Sequence, residues 1–69
     1  MNDPLLNLSE VAELTRLAPQ TLYQLRARGD GPPSFRMAGR VRYRRSAVEQ
    51  WITEQEAAEQ DRLSQLRAV

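Results

Sequence analysis

Cysteine and histidine are both missing from this chain of 69 residues. Their absence excludes disulfide bonds, thiolate chemistry and zinc sites of the usual Cys/His kind, and it removes the commonest general base near neutral pH. A chain of this length needs nearly all of its large apolar side chains for its core, so few are left to line a deep substrate cleft. We therefore expect a binding module and not an enzyme, with no cofactor, metal ion or small-molecule substrate.

Long apolar runs are missing as well. No stretch approaches the roughly 18–20 apolar residues of a membrane span, and no signal-peptide pattern opens the chain. These two absences predict a cytoplasmic protein that does not act at a membrane.

Lysine is the third missing residue type, so all ten basic side chains are arginines. The net charge is −3 over residues 1–15, +7 over residues 16–45 and −3 over residues 46–69, because the middle segment holds eight arginines and one aspartate. The planar guanidinium group suits bidentate contacts with phosphate or guanine, which favours a nucleic-acid partner. Codon usage in a GC-rich genome explains the missing lysines equally well, but it does not explain why the arginines cluster.

The first half of the chain predicts two short helices joined by a tight turn. After a loosely held arm at residues 1–6, a helix is expected over residues 10–17, with Ser9 as its N-cap and Arg16 in its last turn. Its apolar residues recur near helical spacing, at Leu8, Val11, Leu14 and Leu17. Pro19 suits the first position of a second helix, which ends at Gly29 in the left-handed conformation. The pair is a helix-turn-helix candidate.

The second helix has one apolar edge and one polar face. At 100° per residue, Leu22 and Leu25 point one way, and the opposite arc is polar. Glutamine can pair with adenine in the major groove and arginine with guanine, whereas hydroxyl groups suit phosphate. The candidate DNA-reading residues are Gln20, Thr21, Tyr23, Gln24 and Arg28. Arg28 could instead only stabilise the helix C-terminus, and Arg26 points partly toward the core side.

The segment after the Asp30–Pro33 loop alternates with a period of two residues. Apolar residues occupy the odd positions and arginines the even ones, namely Phe35, Met37, Val41 and Tyr43 against Arg36, Arg40, Arg42 and Arg44. This alternation predicts a β-hairpin with one buried and one exposed face. Three or four guanidinium groups would then project from one side and repel one another unless an anion lies between them. The alternative is a solvated basic edge that prevents strand pairing.

The register of this hairpin depends on its turn, which Gly39 marks. A two-residue loop at Ala38 and Gly39 would pair Met37 with Arg40 and mix the two faces. The alternation therefore favours a three-residue loop. A loop at residues 37–39 pairs Arg36 with Arg40 and puts Gly39 at the left-handed position, and we favour it over a loop at residues 38–40, which pairs Met37 with Val41.

A third helix is expected after the hairpin. Ser46 and Glu49 fit a capping box, and the helix buries Val48, Trp51 and Ile52, so Trp51 is interpreted as a core residue and not as a base-stacking platform. Residues 53–61 are rich in Glu, Gln and Ala, which form helices well but give no large apolar face. An apolar stripe then returns at Leu63, Leu66 and Val69. The alternative for this last segment is a disordered tail.

Four motifs in this order resemble the excisionase and AlpA-type group of MerR-like winged helices. The run LSEVAELT at residues 8–15 resembles the opening helix, and PQTLYQLRARG at residues 19–29 resembles the recognition helix. The arginine-rich run at residues 35–45 is similar to the wing, and SAVEQWI at residues 46–52 to the closing helix. The resemblance covers about residues 7–52. A polar N-cap usually precedes the recognition helix in that group, but Ala18 stands there, and the segment after Ile52 lies outside the shared pattern.

The resemblance implies a fold that is mainly α with a small β-hairpin, a winged helix-turn-helix of helix–helix–hairpin–helix order. The domain would span residues 8–52, between an arm at residues 1–7 and a helical extension or tail at residues 53–69. It implies double-stranded DNA as the partner, with the second helix in the major groove and four wing arginines on the adjacent minor groove or backbone, at Arg36, Arg40, Arg42 and Arg44.

The resemblance also implies a biological role in the cytoplasm of a bacterial host cell. Its best version is a phage excisionase, which binds adjacent sites, bends attachment-site DNA and redirects an integrase toward excision. An AlpA-type transcriptional regulator is the alternative within the group. A protein-interaction adaptor or antirepressor is the alternative of another class. RNA binding is disfavoured because Tyr23 alone would be available for base stacking.

The charge layout predicts how several copies would meet on DNA. A domain of this size reads few base pairs, so specificity should come from several copies on neighbouring sites. The acidic ends face away from phosphate, and the stripe at Leu63 and Leu66 could contact the next copy head to tail. Such contacts repeat without closing. We therefore expect cooperative, open-ended binding to direct repeats by a protein that is largely monomeric in free solution.

Overall fold

The computed structural model of the chain describes residues 3–67, which form three helices and three short strands. In chain order these are β1 (Leu5–Leu6), α1 (Leu8–Thr15), α2 (Pro19–Arg28), β2 (Phe35–Met37), β3 (Arg40–Arg44) and α3 (Arg45–Arg67). The strands make an antiparallel sheet in the order β1–β3–β2. The mainly helical winged helix-turn-helix architecture is therefore confirmed. Each helix within residues 3–67 is too short or too polar to span a lipid bilayer.

The segment before α1 is a strand, so the prediction of a loosely held arm is wrong from residue 3 onward. Leu5 pairs with Arg44 and Leu6 with Tyr43 across the antiparallel ladder. Leu6 packs against the core, which adds apolar contacts to the backbone pairing. Residues 1 and 2 of the predicted arm lie outside the described residues.

Helix α1 begins and ends two residues earlier than the sequence pattern predicts. Its N-cap is Asn7 and not Ser9, because Asn7 Oδ1 accepts a hydrogen bond from Glu10 N and Glu10 Oε1 accepts one from Asn7 N, both at 2.8 Å. This reciprocal capping box satisfies two backbone donors at once. At the other end, Arg16 lies outside the last turn, in the left-handed conformation at φ 62°.

Helix α2 begins and ends where Pro19 and Gly29 predict. Pro19 occupies its first position, and Gly29 ends it in the left-handed conformation at φ 75°, where its N–H donates to the Arg26 carbonyl at 3.1 Å. Ala18 is the N-cap and supplies no side-chain hydrogen bond. The helix start therefore relies on proline and not on a polar cap.

The core contains four fully buried apolar side chains among the described residues, contributed by α1, α2, β3 and α3: Val11, Leu22, Tyr43 and Val48. Leu8, Leu17, Val41 and Ile52 pack around them. Because each buried residue comes from a different element, this small cluster joins the helix pair to the sheet and to α3. Leu14 is not among the residues packed on this cluster and is 37% exposed.

Helix α3 begins with a cap from the other end of the chain, and the predicted capping box of Ser46 and Glu49 is wrong. The Asp3 carboxylate accepts hydrogen bonds from Ser46 N at 2.9 Å and Ser46 Oγ at 2.8 Å. Glu49 instead pairs with Arg45 at 3.3 Å. A carboxylate at a helix N-terminus also interacts favourably with the helix dipole. Asp3 therefore caps α3 in place of a residue close to the helix in the sequence.

The rest of α3 is one continuous helix to Arg67, so within the described residues the last segment is an extension and not a disordered tail. Trp51 is half-buried, and its Nε1 donates to the Asp30 carbonyl at 3.0 Å, which ties α3 to the loop after α2. Leu63 and Leu66 are exposed on the extension. Val69, the third member of the predicted apolar stripe, lies outside the described residues.

The Asp3 cap predicts a pH-dependent stability. The backbone hydrogen bond from Ser46, then the one from its hydroxyl, and the nearby Arg44 hold the pKa of the Asp3 carboxyl below its ordinary value. A lowered folded-state pKa stabilises the protein fully above the unfolded-state pKa and ceases to do so as the pH falls through the folded-state pKa. The difference in unfolding free energy between the wild type and Asp3→Asn should thus be largest above about pH 4 and should vanish at lower pH.

Urea denaturation over a pH series measures this difference. Asp61→Asn is the control, because Asp61 is exposed on α3 far from Ser46. A difference between the wild type and Asp3→Asn that persisted unchanged at the lowest pH would contradict the electrostatic cap.

The buried hydroxyl of Tyr43 makes a second prediction. The side chain is fully buried, burial raises its pKa, and its hydroxyl has no hydrogen-bond partner among residues 3–67. An unsatisfied buried polar group costs about 1–3 kcal/mol. We expect Tyr43→Phe to raise the free energy of unfolding by about 1 kcal/mol, measured by urea denaturation. A clear loss of stability would mean that the hydroxyl is hydrogen-bonded in solution.

Candidate nucleic-acid interface

The hairpin between β2 and β3 turns over two residues, so the predicted three-residue loop is wrong. The cross-strand pairs are Phe35 with Arg42, Arg36 with Val41 and Met37 with Arg40. Ala38 and Gly39 form the turn with φ of 52° and 75°. Positive φ at both positions is the geometry of a type I′ turn, whose twist matches the strands. Because all of β2 is exposed, pairing Met37 with Arg40 places no charge in the core.

This register changes which side chains share a face of the wing, which we define as residues 35–44. Cross-strand partners lie on the same face, so Arg36 lies on the face of Val41 and Tyr43. The opposite face carries Arg40, Arg42 and Arg44, together with two residues predicted to be buried, Phe35 and Met37. Phe35 is 37% exposed and Met37 is 48% exposed. Three arginines therefore share one face, and the fourth faces the other way.

The four wing arginines differ in their intramolecular contacts. Arg42 Nη1 donates to the Val41 carbonyl at 2.8 Å, and Arg44 Nη1 lies 3.7 Å from the Asp3 carboxylate. Within residues 3–67, Arg36 and Arg40 form no ion pair with an acidic side chain. These two guanidinium groups are therefore the most available for an external anion.

The polar face of α2 lies on the protein surface as the helical geometry predicts. Gln20, Gln24 and Arg28 are exposed, and Tyr23 is 59% exposed. Thr21 is half-buried on the shoulder of this face, close to the helix N-terminus.

The two arginines near the end of α2 have intramolecular partners. Arg28 Nε lies 3.7 Å from the exposed Asp30 carboxylate, so Arg28 must leave a weak ion pair to reach a ligand. Arg26 donates from Nε to Ser34 Oγ at 2.9 Å and is half-buried, which agrees with its exclusion from the candidate residues.

An open concavity of about 520 Å³ joins the polar face of α2 to the wing. Tyr23 from α2 and Arg36 and Arg40 from the wing line it, together with Asn7 and Ser9 at the start of α1. The structure thus brings candidates from two separate motifs to one site. Sequence reasoning missed Asn7 and Ser9 as site residues. The available signal is the cap position of α1, since the first helix of a helix-turn-helix crosses the DNA backbone.

The chemistry of the lining residues indicates the kind of ligand that fits the concavity. Among residues 3–67 no group of three acidic, histidine or cysteine side chains could hold a metal ion. The cationic and hydroxyl groups around the concavity instead match the oxygen atoms of a phosphate backbone.

Comparison with known protein families agrees with this geometry. A family model described as a helix-turn-helix domain matches residues 5–64, which includes β1 and most of α3 in addition to the segment that resembles the excisionase group. That family includes small excisionase-like and AlpA-like DNA-binding proteins. No curated protein sequence matches the chain. The chain belongs to the family of helix-turn-helix domains, which bind DNA through the second helix of the motif.

Proposed function

We propose that the chain binds double-stranded DNA sequence-specifically, with α2 in the major groove and the wing against the neighbouring minor groove. The observation that carries this proposal is the continuous surface from the exposed face of α2, through Tyr23, to Arg36 and Arg40 of the wing. In this binding mode Gln20, Gln24 and Arg28 read base edges, while Thr21 and Tyr23 bind phosphate. The wing arginines contact the backbone or a narrow A·T-rich minor groove.

Gln24→Ala tests the reading role of α2. The variant should lose about 1–3 kcal/mol on the best site and keep its affinity for random DNA, because a base contact carries the sequence preference. Fluorescence anisotropy with both duplexes measures this. Gln60→Ala, an exposed glutamine on the α3 extension, is the matched control. An equal loss on both duplexes would contradict the assignment of α2 as the reading helix.

The biological role that the chain's motifs favour is that of a phage excisionase in the cytoplasm of a bacterial host. In this role the protein binds tandem sites cooperatively, bends attachment-site DNA and controls the direction of the phage integrase. Support comes from the resemblance of residues 7–52 and from the family match. The surface is a binding surface, and the proposal includes no enzymatic activity.

A footprint on phage attachment-site DNA, combined with an integrase recombination assay, tests this role. Protection of neighbouring sites in the attachment arm and stimulation of excision would support it. Protection of a promoter alone would identify an AlpA-type regulator instead. Failure to bind any duplex would favour the protein-interaction adaptor.

Truncation after Thr53 tests the proposed cooperativity. The α3 extension beyond this residue is exposed throughout and carries Leu63 and Leu66, so it can reach a neighbouring copy without altering the DNA-binding surface. We expect unchanged affinity for a single site and lost cooperativity on two or three tandem sites. Unchanged cooperativity would mean that neighbouring copies interact through the wing or through the DNA. A stable two-fold dimer in sedimentation without DNA would defeat the head-to-tail arrangement.

A further inference from the structure

The tip of the wing carries an exposed apolar side chain next to an arginine. Met37 is the last residue of β2 and 48% exposed, and its cross-strand partner is Arg40. It lies outside the core cluster and the residues packed on that cluster. A single exposed methionine is ordinary on a protein surface, so its position has to carry the argument.

The turn beyond Met37 is narrow and exposed at both of its residues. Ala38 has the smallest side chain and Gly39 has none, and nothing lies within 4 Å of the position that a Cβ on Gly39 would take. Strand β2 is at the edge of the sheet, so β3 alone flanks it. The DNA minor groove is about 6 Å wide, and such a tip with small turn residues can enter it.

The register of the hairpin places Met37 and Arg40 side by side on the same face of this tip. A guanidinium group is attracted to the negative potential of a narrow minor groove. A flexible, unbranched apolar side chain beside it can then enter between base pairs. Apolar wedges of this kind, methionine included, unstack a base step from the minor groove and kink the duplex.

We propose that Met37 is such a wedge and inserts at one base step under the wing, with Arg40 as the adjacent anchor in the groove. This inference rests on the proposed DNA-binding mode and deepens it, because it assigns the bend to one side chain. The step entered should be a flexible pyrimidine–purine step, since these unstack at the lowest cost.

The experiment uses the full chain and a duplex that the chain itself selects from a random library. A 2-aminopurine base at each step of the wing-side flank reports unstacking by increased fluorescence. We expect an increase at one step with the wild type and with Met37→Leu, which keeps an apolar side chain of similar size. Met37→Ala should leave the fluorescence of that step at the level of free DNA. Gln50→Ala, which shortens an exposed side chain on α3 that the proposed binding mode does not use, should behave as the wild type.

A second measurement uses a mismatch that opens this step in advance. The wild type should bind the mismatched duplex about tenfold more tightly than the matched one, because the unstacking cost is already met. Met37→Ala should bind the two duplexes equally. Energy transfer between end-labelled dyes should show a smaller bend with Met37→Ala than with Met37→Leu.

The outcomes separate this inference from the proposed function. If no sequence is enriched from the library, the DNA-binding function fails. If sequences are enriched but the fluorescence of Met37→Ala equals that of the wild type, the DNA-binding function stands and the wedge is overturned. Because Met37 is exposed, its replacement should leave the circular dichroism spectrum unchanged. A difference in fluorescence between Met37→Leu and Met37→Ala would in addition show that the size of the apolar side chain matters and not the substitution as such.

Discussion

Raising the salt concentration from about 50 to about 200 mM is expected to weaken binding to a duplex by about 250- to 1000-fold. If about four to six arginines reach phosphates, counterion release gives a log–log slope of roughly −4 to −5. The +7 charge of residues 16–45 is the physical source of this slope, together with the guanidinium groups of Arg36 and Arg40, which form no ion pair within residues 3–67. Fluorescence anisotropy titrations at several salt concentrations measure it.

Single substitutions show how much each arginine contributes to this salt dependence. Arg36→Ala and Arg40→Ala should each flatten it by about one and weaken binding to all sequences alike. The same result is predicted for Arg42→Ala and Arg44→Ala to the extent that these side chains leave the Val41 carbonyl and Asp3. Arg62→Ala is the control, because Arg62 pairs with Glu59 on the α3 extension. A slope near zero for the wild type would contradict an interface built on phosphate contacts.

Leu22→Ala is expected to remove a large part of the protein's stability. Leu22 is 1% exposed and is one of the four fully buried side chains of the described core. Replacing a buried leucine by alanine costs about 2–5 kcal/mol, and a domain of this length has a total stability of only about 3–10 kcal/mol. Circular dichroism during urea denaturation should show a transition shifted to much lower urea or already complete in buffer.

Leu66→Ala is the matched control for this change. The same side chain is removed from an exposed position on α3, so the transition should move by less than about 0.5 kcal/mol. Equal effects of the two substitutions would contradict the position of Leu22 in the core. DNA binding by Leu22→Ala should fall in parallel with its folded fraction, because Leu22 holds α2 against the rest of the domain.

The sequence by itself determined the ends of α2 and its exposed face, because these features depend on residues that are close together in the chain. Pro19 and Gly29 mark the ends of α2 by local effects, because proline fixes φ at the first helical position and glycine readily adopts the left-handed conformation that ends the helix. The periodicity of Leu22 and Leu25 leaves Gln20, Tyr23 and Gln24 on the opposite face, where the structure shows them exposed. The order of helices and hairpin, and hence the fold class and the exposed polar face of α2, could therefore be predicted from the sequence.

The wing shows where such local reasoning fails. Alternation predicts one buried face only if both strands are half-buried, and β2 is exposed along its whole length. The pairing of β2 with β3 is therefore set by the turn. The positive φ of Ala38 and Gly39 gives a two-residue turn, which fixes the register. The register also affects the candidate site, because it puts Arg36 on the face of Val41 and Met37 beside Arg40.

Contacts between distant parts of the chain were decided by the tertiary structure alone. Two leucines are too short a run to show strand periodicity, so β1 exists because β3 offers an edge to pair with. The cap of α3 comes from Asp3, 43 residues before Ser46, although Ser46 and Glu49 match a local capping pattern. The concavity that unites Asn7, Tyr23 and Arg40 likewise joins three separate elements. The sequence by itself thus determined the elements and their faces, because those depend on neighbours along the chain, whereas pairing, register and the assembled site depend on residues that only folding brings together.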